Sequence, residues 1–151
     1  MAAMSQYLEG ALIGHIFQAS AFSMPSQLWI ALCTSATTSA DTGATLRSGN
    51  KEVPVSFNYA RQQLNPSGSN WVGPVSGNGT VSNNVQITFG PATGGAWQNS
   101  PNTQITYVAI LDSGTDGAGN ILFQGALTTP KTVNDGDTLR FNAGDLSVQL
   151  S

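Results

Sequence analysis

Leu28-Trp29-Ile30-Ala31-Leu32-Cys33 is an unbroken run of apolar residues flanked by polar sequence. Successive side chains of a β-strand point to opposite faces of its sheet. The even-numbered residues of this run would therefore lie on one face and the odd-numbered residues on the other. Because both sets are apolar, the run predicts a strand that is buried on both faces.

Shorter strands are predicted on the C-terminal side of this run. They are separated by turn sequences such as Pro66-Ser67-Gly68-Ser69 and Asn134-Asp135-Gly136, which contain the residues that turns prefer. The predicted strands are Tyr59 to Leu64, Val81 to Phe89, Gln104 to Asp112, Ile121 to Leu127, Thr138 to Asn142 and Leu146 to Leu150. Short strands with such turns predict an all-β fold, an antiparallel β-sandwich with a jelly-roll-like or barrel-like arrangement.

On the N-terminal side, one amphipathic α-helix is predicted from Ser5 to Gln18, with Ser5 as its N-cap. No other helix is predicted. Leu8, Leu12 and Ile16 recur at helical spacing, and we expect this face to cover one side or end of the sandwich. Alternatively, the helix is an arm that packs on a neighbouring subunit.

The length and composition predict one folded domain over residues 1–151, with the helix or arm at 1–20 and the β-sandwich at 26–151. A chain of 151 residues has the usual size of a single domain. Charged residues make up only 9% and the net charge is -3, whereas disordered chains combine few apolar residues with a large net charge.

The charges and the apolar stretches also limit the classes of partner. Five Lys and Arg residues are scattered along the chain, so nothing resembles the basic stripe of a nucleic-acid-binding protein. The apolar stretch from Ala11 to Phe17 is interrupted by His15 and is too short to span a bilayer. No basic segment precedes it, as one would in a signal peptide. We therefore expect no nucleic acid, no membrane, and synthesis in the host cytoplasm.

Catalytic and metal-binding constellations are weak in this sequence, and we expect no enzyme, no cofactor and no metal site. His15 is the only histidine and Cys33 the only cysteine. We expect His15 to be an ordinary helix residue and Cys33 to be a small core residue. The Asp112 to Asn120 segment carries oxygen ligands among glycines, as calcium loops do. It lacks the bidentate Glu of an EF-hand, so we predict a hairpin connection there.

Two long polar segments, Thr34 to Asn50 and Asn65 to Thr80, contain few candidates for the core. Long loops in small domains are often functional or ordered by a partner. Loop tryptophans can also stack on sugars, which keeps a carbohydrate-binding module open as an alternative. The candidate partner-contact residues are Thr37, Thr38, Asp41, Arg47, Lys51, Asn70, Trp71, Asn78 and Trp97.

Several segments together resemble a known family. They are Tyr7-Leu8-Glu9, Leu28 to Thr34, Tyr59-Ala60-Arg61-Gln62, Ile87-Thr88-Phe89, Ile105 to Asp112, Gly125 to Lys131, Arg140-Phe141 and Ala143-Gly144-Asp145-Leu146. In this order they are similar to small structural proteins of tailed bacteriophages that are labelled tail-fibre-like, some of whose relatives are head decoration or cement proteins. The similarity spans nearly the whole chain. The sequence departs from the family pattern at the Thr34 to Asn50 loop, where Cys33 replaces the more usual His, and in the long insertion from Gly94 to Asn102.

The resemblance implies a structural protein of the virion. The expected role is a capsid decoration or cement protein that bridges and stabilises subunits of the major capsid protein. The alternative is a tail fibre or fibre adaptor bound to tail proteins. In either place we expect a homo-oligomer, with a trimer as one form.

Overall fold

The computed structural model describes residues 3–74 and 79–150. Every strand pair in it is antiparallel. The strands form a five-stranded sheet in the order β1-β8-β7-β2-β3, a three-stranded sheet β10-β5-β4 and a two-stranded sheet β6-β9. The elements are β1 (Ala3–Met4), α1 (Gln6–Phe17), β2 (Trp29–Cys33), α2 (Gly43–Ser48), β3 (Gln62–Gln63), β4 (Trp71–Val72), β5 (Thr80–Asn83), β6 (Ile87–Phe89), β7 (Ile105–Leu111), β8 (Ile121–Lys131), β9 (Leu139–Phe141) and β10 (Ser147–Gln149).

The main core lies between the five-stranded sheet and the two smaller sheets. Ile30 and Leu32 of β2 contribute to it, together with apolar side chains of β6, β7, β9 and β10. On the opposite face of β2, Ala31 and Cys33 pack in a second cluster with Leu46 of α2. The prediction that β2 is buried on both faces is confirmed, and so is the all-β sandwich-like fold class.

Several predicted strand boundaries are wrong. The predicted strand from Val81 to Phe89 divides into β5 and β6, which belong to different sheets. The buried side chain of Asn83 causes this turn, because its amide donates 2.8 Å hydrogen bonds to the carbonyl oxygens of both Val85 and Asn142. Within the predicted strand at 59–64, only Gln62–Gln63 forms a strand, whereas β8 continues beyond its predicted end to Lys131.

The expectation of a single helix is also wrong, because α2 lies inside the predicted polar loop at 34–50. Thr42 and Thr45 form a reciprocal capping box at its N-terminus, which satisfies backbone N–H groups that a helix start leaves free. Leu46 then points into the second cluster and is fully buried. One apolar side chain and two threonines thus convert part of the loop into a short packed helix.

Helix α1 has the predicted boundaries and N-cap, but it does not cover the sandwich. The Ser5 hydroxyl accepts a 3.2 Å hydrogen bond from the Leu8 N–H, and the Ser5 N–H donates to the Leu122 carbonyl of β8 at 3.0 Å. Only Leu8 is buried in this helix. The helix is attached at its first turn, and Ile13 lies off the predicted apolar face, so apolar residues surround the helix instead of forming one covered stripe.

Strand β8 leaves part of one side without a described strand partner. Strand β1 pairs only with Phe123 and Gln124 of β8. The last residues of β8, Thr128 to Lys131, are all exposed and include Pro130. Within the described ranges 3–74 and 79–150, no helix is long and apolar enough to cross a bilayer.

Candidate interaction surface

The C-terminal half of α1 presents a row of apolar side chains to solvent. Ile13, Ile16 and Phe17 are 56%, 69% and 79% exposed. No Cβ-sized obstruction lies within 4 Å of Gly10, so the helix backbone is open at that position as well. A helix that is apolar all round is normally buried inside a larger structure, and contiguous exposed apolar surface marks interaction sites.

A second apolar surface is a groove between the five-stranded and three-stranded sheets. Its volume is about 640 Å³. Leu28, Trp71 and Phe123 line it and also pack against the main core, so the groove is an open end of the core itself. The residues that line it include Met24, Leu28, Trp71, Phe123, Val148 and Leu150, and none of the described lining residues is charged.

Trp71 is a wall of this groove and is held in place by a hydrogen bond. Its indole Nε1–H donates to the Leu64 carbonyl at 3.2 Å. Asn70, the preceding candidate, donates from Nδ2 to the Asn65 carbonyl at 3.0 Å. Both side chains therefore fix the loop at 65–70, while the ring of Trp71 remains half-exposed on the groove side.

Asp41 organises the other polar loop from a buried position. Its Oδ2 accepts from the Thr38 N–H at 2.6 Å, the Thr38 hydroxyl at 3.0 Å and the Lys51 Nζ at 2.7 Å. Its Oδ1 accepts from the Thr45 hydroxyl at 2.9 Å. Burial acts to raise the pKa of Asp41, but the hydrogen bonds from Lys51, Thr38 and Thr45 outweigh it and lower this pKa.

A buried network of charged and polar groups joins β3 to the loop between β7 and β8. Arg61 donates to Glu52 through two nitrogens, and its Nη1 donates to the carbonyl oxygens of Ser113 at 2.7 Å and Ala118 at 2.9 Å. The Tyr59 hydroxyl donates to Glu52 Oε1 at 3.1 Å and accepts from the Leu32 N–H at 2.9 Å. Burial, followed by the charge of Glu52, raises the pKa of Tyr59.

The segment at 112–120 is the connection between β7 and β8, as predicted. Both carboxylate oxygens of Asp112 accept hydrogen bonds from Asn120, from its backbone N–H at 2.7 Å and its side-chain amide at 2.9 Å. These two hydrogen bonds stabilise the turn between β7 and β8. In the part of the chain that the structure describes, no group of three or more His, Cys, Asp and Glu side chains could hold a metal ion.

The single histidine and the single cysteine of the chain lie in different environments. His15 is exposed on α1, and its Nδ1 lies 3.2 Å from the Ser20 carbonyl oxygen. Cys33 is fully buried, and burial, together with the charge of Glu52, raises the pKa of its thiol. A protonated, inaccessible thiol is a poor nucleophile. The prediction that Cys33 is a small core residue is confirmed.

The structure separates the candidate contact residues into buried and exposed sets. Thr37, Asp41 and Trp97 are buried, and the Trp97 indole donates to the Phe57 carbonyl at 2.8 Å. These three do not offer a contact surface, because the loops that carry them fold onto the sandwich.

The remaining candidates are partly or fully exposed where the structure describes them. Arg47 forms a salt bridge of 3.1 Å with Asp116, and half-buried Lys51 is paired with Asp41. Thr38 is exposed. Asn78 lies outside the described residues.

Sequence reasoning left open whether the apolar side chains of α1 cover this chain or a neighbouring subunit, and it missed the rim of the groove. Ile13 was the sequence signal that α1 has apolar side chains on more than one face, because it lies between Leu12 and Ile16 but points away from their face. Met24 and Leu150, which are 77% and 49% exposed, carry no sequence pattern that predicts a groove.

Comparison with protein families gives a match that covers nearly the whole chain. A family model described as Podophage GP4 fiber I protein gp80 matches residues 3–149. The match confirms the resemblance to phage structural proteins. No curated protein matches the chain significantly.

Proposed function

Because this chain belongs to the family of the Podophage GP4 fiber I protein gp80 and is a structural protein of the phage virion, we propose that it is a fibre subunit. The observation that carries the proposal is the match itself, which extends over residues 3–149. A match of this extent includes the sandwich, α1 and the groove together. The role is one of assembly through surfaces, not of catalysis.

The exposed apolar surfaces support an assembly role. Ile16 and Phe17 on α1 and the uncharged groove would be unfavourable on a subunit that stays alone in water. Charged residues are only 9% of the chain, so few long charged side chains lose conformational freedom when neighbours cover them. Both properties favour burial against other virion proteins.

Capsid decoration is the second candidate, and the same polar, nearly neutral surface favours it. A cement protein bridges subunits of the major capsid protein through many weak contacts that are multiplied over a lattice. A carbohydrate-binding role is less well supported, because Trp97 is buried and the rings of Trp29 and Trp71 are only half-exposed.

The experiment that tests the proposal is a count of this chain in purified particles by quantitative mass spectrometry against the major capsid protein, together with imaging of the particle. A small ratio with density on the tail supports the fibre subunit. A ratio near one with density on the head surface overturns it in favour of decoration. Absence of the chain from purified particles overturns both assignments.

A further inference from the structure

We infer that α1 of one subunit packs into the apolar groove of a second copy of the same chain, so that neighbouring subunits are joined by exchanged helices. This deepens the proposed function, on which it rests, by naming the partner of the exposed surfaces. It concerns the contact between copies and not the place of those copies in the particle.

The donor surface is the part of α1 beyond its attachment point. Within the chain, backbone hydrogen bonds from Ser5 to the Leu122 carbonyl and from Gln6 to the Ser39 carbonyl hold the start of the helix. Ile13, Ile16 and Phe17 remain exposed in the following turns. Burying such side chains removes apolar surface from water and is favourable, so the free helix retains a strong tendency to pack against another surface.

The acceptor surface has the chemistry and the size that such a helix requires. The 12 residues of α1 span about 18 Å. The groove, at about 640 Å³, is an open part of the main core and is lined by apolar side chains. An apolar helix in an apolar groove is an established form of recognition, in which side chains at positions i, i+3, i+4 and i+7 act as anchors.

A second copy of the chain supplies a groove for the exposed helix and a helix for the open groove. Each chain carries one helix with an exposed apolar end and one open groove, so an exchange leaves neither uncovered. No described residue that lines the groove is charged, and only Glu9 and His15 are ionisable in α1 apart from Tyr7. The net charge of -3 is therefore not concentrated where the two copies would meet.

The contact area also reaches what a stable oligomer needs. The free part of the helix, residues 10–17, is about 12 Å long and about 11 Å across, so covering half of it removes roughly 200 Å² from the helix and a similar area from the groove. Two reciprocal contacts in a dimer then bury about 800 Å² in total, whereas three contacts in a cyclic trimer bury about 1,200 Å². Stable interfaces begin at about 1,200 Å².

The test uses the purified full chain and two single-cysteine variants that are mixed with each other. Phe17→Cys places a thiol on the helix, and Leu150→Cys places one at the rim of the groove. Because native Cys33 is buried, it does not compete for oxidation in the folded protein. We expect the mixture to form a disulfide between the two different variants, whereas a mixture of Phe17→Cys with the matched control Val55→Cys, which is 52% exposed and outside both surfaces, does not.

Self-association is measured in parallel by sedimentation equilibrium. Ile16→Asp on the helix and Met24→Asp at the groove should each weaken it by roughly tenfold or more, while Val55→Asp should leave it unchanged. A wild-type chain that stays monomeric at high concentration overturns the inference. In the mixture, crosslinking of Phe17→Cys to itself in preference to Leu150→Cys also overturns it. Neither result bears on the particle count, so failure here and failure of the fibre assignment are separate outcomes.

Discussion

Arg61 meets Glu52 inside the fold through two parallel hydrogen bonds, 2.8 Å from Nε to Oε1 and 2.7 Å from Nη2 to Oε2. Both side chains are at most 2% exposed. Burial alone would lower the pKa of Arg61, but the hydrogen bond and charge of Glu52 raise it, so Arg61 stays charged. The Nη1 group of Arg61 donates to two backbone carbonyl oxygens of the 112–120 loop, so the pair links the core to that loop.

Glu52→Gln should destabilise the fold by about 3–5 kcal/mol, because it leaves the Arg61 charge buried without its partner. The free energy of unfolding is measured by urea denaturation. Arg47→Gln is the matched control, since it removes the more exposed Arg47–Asp116 pair, which should contribute about 0–1 kcal/mol. Equal losses in the two variants would contradict a special role for the buried pair.

Asp41→Asn should lower stability at pH 7 by about 1–3 kcal/mol, because hydrogen bonds to a charged carboxylate are lost. The folded pKa of Asp41 lies below the usual 3.8. Its contribution is therefore complete above pH 3.8 and is lost as the pH falls through the lower folded pKa. Urea titrations from pH 7 to pH 3 should show the difference between wild type and variant shrinking only at the acidic end. A difference that is constant with pH would be contrary to this linkage.

Gly43→Ala should separate α2 from the 112–120 loop. A Cβ at Gly43 would lie 2.0 Å from the Ala118 carbonyl oxygen, which is backbone and cannot move without shifting the loop. We expect a loss of about 1–3 kcal/mol and faster hydrogen exchange of amides in the loop. Gly68→Ala serves as the control, because nothing lies within 4 Å of its added Cβ, and similar exchange in both variants would count against this docking.

Trp97 and Trp71 should respond differently to removal. Trp97→Ala should cost about 3–5 kcal/mol, because the ring is 1% exposed and packs against Tyr59 in the core. Trp71→Ala should cost less and keep the far-ultraviolet circular dichroism of the fold, since its ring is half-exposed on the groove. A Trp97→Ala protein as stable as wild type would mean that this side chain is not part of the core.

Cys33 should be unreactive in the native protein and fully reactive once the protein unfolds. The thiol is buried and its pKa is raised by burial, so both access and thiolate formation are blocked. Labelling with a chromogenic disulfide reagent at pH 8, with and without urea, measures this directly. Rapid stoichiometric labelling without urea would indicate that β2 opens readily.

Sequence patterns predicted those elements whose burial depends on their own side chains. Strand β2 is buried on both faces, so both alternating sets of its side chains are apolar, and this pattern is visible in the sequence. Strands β1 and β4 have two residues each, too few for any periodicity to register. Helix α2 was missed because its capping box uses Thr45 in place of the more familiar Glu or Gln.

The interaction surface was harder to predict for a different reason. Periodicity identifies the apolar face of a helix but not the surface that buries it. The sequence pattern at Ile16 is therefore the same whether this side chain packs on its own chain or on another. The long-range contacts that organise the loops are also invisible locally. Arg61 and Ala118, for example, are joined by a hydrogen bond across 57 positions, and Asp41 belongs to a buried network although its sequence neighbours are polar.

The C-terminal end of β8 affects whether copies of this chain can pair with each other through their sheet edges. An unpaired strand edge is a template for open-ended addition of further strands. Proline has no N–H to donate to a sheet, and a lysine at an edge disfavours approach of a second strand. Pro130 and Lys131 lie in that stretch, so this end of β8 is a poor template for pairing with a strand of a neighbouring subunit.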